Sequence, residues 1–196
     1  MKLRTKLLLS FALILILTSI TNIYGLFQMD VLANLTNKMY NHPLQVTRAV
    51  LTANINIIKM HRHMKDVALA NSPVEMEIAK SSVKQHEQKV YTQFEIIEKW
   101  ILGKKGTELI TKTIHIFQNW SPIRNEVIKL METDKKLEAA EITKGKGAKH
   151  VALLDEQMEL LNNYAANKAK GMHENSITIY SNILTVSITI LIIIII

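Results

Sequence analysis

Seven-residue spacing sets Thr47, Asn54 and His61 on one line of a helix, and Lys65 follows one turn later. Arg48, Arg62 and Asp66 lie beside that line. Arginine suits a carboxylate, because its planar fork reaches both oxygens. The plain alternative is a solvated helix face with an Arg62–Asp66 pair of a few tenths of a kcal/mol. A second group is His86, His61 and His150, which fall at a similar depth once the helices are paired. Three histidines at one level suit a metal, and one or two suit haem iron. The plain alternative is one core histidine and two surface ones. Only His61 and His63 approach ligand spacing, and they point to different faces. Gly145 and Gly147 mark a third place. Each glycine inside a helix costs up to about 1 kcal/mol relative to alanine. They signal either space for a small ligand or a close helix approach. Met60, Met64 and Met158 fill core gaps.

Catalysis finds no support in the pattern. There is no phosphate loop, no nucleophile–base arrangement and no acid pair at a cleft.

These residues must be held by helices. Two long uncharged apolar runs bracket the chain, 7–27 and 177–196. Each has about the 20 residues that a helix needs to cross a bilayer core. Lys2, Arg4 and Lys6 precede the first, which places residues 1–6 in the cytoplasm by the positive-inside rule. That run is longer than a signal-peptide core and lacks an Ala-x-Ala site, so it reads as an uncleaved anchor. The second run ends in isoleucines with no Lys or Arg behind them, as if the chain were cut within or just after a membrane helix.

Residues 28–176 form the expected domain between the spans. It carries 21 basic and 17 acidic residues, interleaved rather than gathered, which argues against nucleic-acid binding. With no cysteine it has neither disulfides nor thiolate metal sites. Only three prolines and six glycines interrupt the 196 residues.

Four helices follow from the apolar spacing. The first carries Val46, Val50, Ala53, Ile57, Met60, Met64 and Val67, and stops at Asn71-Ser72-Pro73. The second carries Met76, Ala79, Val83, His86, Val90, Phe94, Ile97 and Ile101, and stops at Gly103. The third carries Leu109, Thr113, Ile116, Trp120, Ile123, Val127 and Leu130, with a kink expected at Pro122. The fourth carries Leu137, Ala140, Val151, Leu154, Met158, Leu161 and Ala165, and runs into the second span. Asn41-His42-Pro43 is expected to cap or kink the first helix. The predicted fold is all-α: an antiparallel up-down-up-down four-helix bundle flanked by two transmembrane helices.

Several motifs resemble one family. His42-Pro43-Leu44, Arg48-Ala49-Val50 and Met60 to Asp66 are similar to the first helix of the four-helix-bundle sensor domain of bacterial methyl-accepting chemotaxis proteins. Trp120-Ser121-Pro122-Ile123-Arg124 resembles its third helix. Gly147 to Val151 and Tyr164 to Ala169 resemble its fourth. The resemblance implies a homodimeric sensor in the inner membrane. Its bundle would be periplasmic, and a helix shift would carry the signal to cytoplasmic signalling proteins through an output domain. It also implies a small, anionic ligand held across the first-helix interface, with Arg48, Asn54, His61, Arg62 and Lys65 as the candidate contacts. An interior pocket at His86, Gly147 and His150 is the alternative. Related sensor modules stand before histidine kinases and diguanylate cyclases, and that parentage stays open. No cofactor is expected; a haem- or metal-binding bundle is the rival of another class.

Overall fold

The structure is a computed structural model that describes residues 3–195. Lys2, one of the three basic residues ahead of the first apolar run, and Ile196, the end of the second, lie outside them. Among the described residues there is no strand. Seven α-helices follow in order: α1 (Leu3–Met39), α2 (Gln45–Leu69), α3 (Pro73–Trp100), α4 (Lys104–Gln118), α5 (Ser121–Glu132), α6 (Lys136–Ile142) and α7 (Ala148–Ile195). π-helical turns at Tyr40–Leu44 and Thr143–Gly147 join α1 to α2 and α6 to α7 without ending the helix. The chain divides into two compact units. One is Asn41–Lys168; the other holds the described residues of 1–40 and of 169–196.

The unit Asn41–Lys168 is the four-helix bundle. Its helices are α2, α3, the pair α4–α5, and α6 with the first half of α7. Every expected core position of α2 is buried, from Val46 to Val67. Its turn into α3 is a reciprocal cap: Glu75 N–H donates to Ser72 Oγ at 3.2 Å, and Glu75 Oε2 accepts from Asn71 N–H at 2.8 Å. Pro73 opens α3, where its missing N–H costs nothing. The turn into α4 needs Gly103, whose φ is +80°. Tyr164 of α7 clamps that turn, its hydroxyl donating to Leu102 O at 2.5 Å.

Four expectations are corrected. Pro122 does not kink one helix but separates two, because it has no N–H to offer the preceding turn; α4 ends at Gln118 and α5 starts at Ser121. On α4–α5 Thr113, Trp120 and Val127 are buried as expected, but part of the inward face is turned by one residue. Ile110, Thr113, Phe117, Trp120, Arg124 and Val127 are buried, while Leu109, Ile116, Ile123 and Leu130 pack at the edge of the core. Leu137 is 84 % exposed, and Ala139, Thr143 and Gly147 point inward instead. Their spacing of four suits the wider π turn that carries two of them. At Asn41-His42-Pro43 a π turn stands in place of a side-chain cap, and Pro43 is buried in it.

The described residues of the second unit are helical. Two helices, Leu3–Leu69 and Lys136–Ile195, each contain an 18-residue stretch apolar enough to cross a membrane by length and composition. Neither stretch buries any of its residues inside the protein.

Candidate functional site

Trp120 is the hub of the bundle interior. The break after Gln118 turns its indole fully inward. Phe117 meets it edge-on at 6.4 Å, and so does His61 from α2. His150 from α7 stacks on it at 6.5 Å. Each histidine also donates to a carbonyl on a third element. His61 Nε2 is 3.2 Å from Thr143 O, and His150 Nε2 is 2.8 Å from Ile116 O. A neutral imidazole suffices for either bond. Burial pushes the His61 pKa below its usual value; the Thr143 bond opposes that shift, and nearby Lys65 adds to it.

This arrangement separates the histidines that shared a level in the sequence. His86 lies on the α2–α3 face, where it stacks on His63 at 5.5 Å. Its Nδ1 donates to Asn56 Oδ1 at 2.8 Å. Burial lowers its pKa first, then the charges of Lys89, His63, Lys59 and Arg62. Among the described residues no group of three or more His, Cys, Asp or Glu is placed to hold a metal. His61, Trp120, Thr143 and Gly147 enclose a cavity of about 10 Å³, room for one water at most. A Cβ on Gly147 would stand 3.2 Å from Ile142 O, so this glycine permits the close turn.

The first-helix candidates divide in two. Asn54 and His61 turn toward the fourth bundle helix: Asn54 Nδ2 donates to Asp155 Oδ1 at 2.7 Å. Asn54 also lines a 220 Å³ cavity between α2 and α7, with Leu51, Asp155, Glu159 and Asn162. The amide oxygens of Asn54 and Asn162 are buried there without a partner. Arg48, Arg62 and Lys65 are exposed. They share one stripe with Leu44 of the preceding π turn and with Leu51, Ile55, Ile58 and Leu69 of α2, all of them exposed. The expected Arg62–Asp66 pair is not the one formed. His63 Nδ1 donates to Asp66 Oδ2 at 3.0 Å, and Arg62 Nη2 reaches His63 Nε2 at 3.4 Å.

Sequence reasoning missed the one buried arginine of the bundle as a structural centre. Arg124 donates from Nη2 to Glu87 Oε1 of α3 and lies 5.2 Å over the Trp120 ring. The available signal was its spacing of four from Trp120, which puts both on one helix face.

The sequence profile of the family described as the four helix bundle sensory module for signal transduction matches residues 1–180, and the chain belongs to that family. No curated protein and no solved structure matches it.

Proposed function

We propose that this chain is the ligand-sensing part of a membrane-anchored receptor of the chemotaxis type. The observation that carries the reading is helix continuity. Leu3–Leu69 and Lys136–Ile195 each join a membrane-length apolar stretch to a bundle helix. On this reading a shift of about 1–2 Å in the bundle is carried along these helices to the membrane. On this reading residues 1–6 are cytoplasmic, the bundle is periplasmic, and the signal passes to cytoplasmic signalling proteins through an output module.

The exposed stripe of α2 supports a homodimer. Leu44, Leu51, Ile55, Ile58 and Leu69 recur at the three- and four-residue steps of a helix-pairing seam. Arg48, Arg62 and Lys65 occupy other positions of the same stripe. Pairing two such stripes brings like charges together, and an anion between them relieves the repulsion. Arg48, Arg62 and Lys65 are therefore the proposed contacts for a small anionic ligand. Asn54 borders them through the cavity it shares with Leu51, and His61 supports the interior instead.

Reporter fusions test the topology: one at Lys104 should report the periplasm and one after residue 196 the cytoplasm. A cytoplasmic Lys104 overturns the proposal. In a full-length receptor, Arg48→Ala and Arg62→Ala should each raise the ligand concentration for half response more than tenfold. Helicity and melting should not change. Unaltered responses in both variants remove these residues from the ligand site.

A further inference from the structure

A groove of about 440 Å³ lies along α3 and α5, away from the exposed stripe of α2 and complete within one protomer. Met64, Val83 and Ile128 supply its apolar lining. Its charged lining does not balance. Lys80 is held by Glu77 at 3.0 Å, and Glu87 is held by Arg124. Lys84 lines the same groove and has no ion-pair partner among the described residues. Beside these groups Ser121 opens α5, a 12-residue helix, so the positive end of the helix dipole faces the same space.

Arg124 supplies the independent observation. Its side chain is only 7 % exposed, yet it lines the groove. Glu87 engages Nη2, while the buried Nε has no acceptor. A guanidinium carries five donors, and buried donors in folded proteins are nearly always matched. The arginine is thus fixed in place by Glu87 and Trp120 but only partly coordinated.

We infer that this groove binds a small monocarboxylate with a short apolar body. The carboxylate is held among Lys84, the Ser121 hydroxyl and the Arg124 guanidinium. The apolar body rests on Met64, Val83 and Ile128. One negative charge is the right number, since Glu77 and Glu87 cancel two of the three cations and repel a second anionic group. The site is distinct from the dimer stripe and needs no partner chain, so it goes beyond the receptor reading above.

The test uses the full chain in detergent micelles with Trp100→Phe, so that emission reports Trp120 beneath Arg124. Titration with butyrate should give a saturable change in emission, and butylamine and inorganic phosphate should give weaker ones. Lys84→Gln changes an exposed residue and leaves the core intact. It should weaken butyrate at least tenfold, the effect of losing one charged contact. Arg48→Ala and Arg62→Ala should leave the titration unchanged, which separates this site from the dimer stripe. The assignment is overturned by no saturable response to butyrate, by equal affinity in Lys84→Gln, or by tighter binding of phosphate or butylamine. None of those results bears on the topology reporters.

Discussion

Arg124 of α5 donates to Glu87 of α3 while its guanidinium lies over Trp120 of the preceding turn. One buried cation thereby ties the second bundle helix to the third just after the third is broken. A buried charge is costly unless paired, so the two helices cannot separate here without exposing the pair to water or stranding it.

Removing one partner should therefore cost more than removing both. Glu87→Ala is expected to destabilise the protein by about 1.5–3 kcal/mol, the lower part of the range being favoured by Glu87's partial exposure. Adding Arg124→Met should restore part of that loss. Urea unfolding followed by circular dichroism measures both. A double variant as unstable as the sum of the single ones would refute the coupling.

The bundle should lose stability in acid through two histidines. His61 and His86 both have lowered pKa values in the folded state, chiefly from burial. Near the unfolded value of about 6.5 the unfolded chain then binds more protons than the folded one. Stability rises with pH through that window and is complete above it. It declines as pH falls below about 6.5 and on through the lower folded values. Denaturation midpoints at about pH 7.5 and 5.5 should show the decline, and His61→Gln with His86→Gln should flatten it. A slope of the opposite sign would contradict the burial argument.

Core and surface exchange places relative to the apolar spacing, and mutation should show it. Phe117→Ala removes a fully buried ring and should cost about 3–5 kcal/mol. Leu137→Ala should change stability by no more than about 0.5 kcal/mol, because that side chain is exposed. Similar losses at both positions would argue that Leu137, not Ala139, faces the core.

Gly106 of α4 is buried against Ile101 and Tyr164. A Cβ there would come within 2.7 Å of Ile101 Cγ1 and of Tyr164 Cε1. Gly106→Ala should cost about 1–3 kcal/mol by overpacking, despite alanine's better helix propensity. Tyr164→Phe, which loses only the bond to Leu102 O, should cost about 0.5–1.5 kcal/mol. Thermal melts of the two variants compare them directly; a more stable Gly106→Ala would mean the turn can open without loss.

Much of this architecture is local in origin and so legible from sequence. The α2 core from Val46 to Val67 needs only a repeat of three and four. The Ser72–Glu75 cap and Pro73 are a short-range motif, and Gly103 marks a turn because few other residues accept its backbone angle. The two apolar runs declare themselves by length. Helix rotation is different. Ile116 and Phe117 are both apolar and adjacent, and a repeat of three and four accepts either phase. Packing against Phe94 and Tyr91 selects Phe117. The same rotation carries Arg124 inward, where Glu87, 37 residues away, compensates its charge. Likewise Asn54 and His61 look like neighbours of Arg48 and Arg62 along the chain, yet Asp155 and the Thr143 carbonyl draw them toward the fourth helix. Periodicity specifies which residues can share a helix face. Which way that face points, and which polar groups meet across it, depends on partners that only the folded bundle brings within hydrogen-bonding distance.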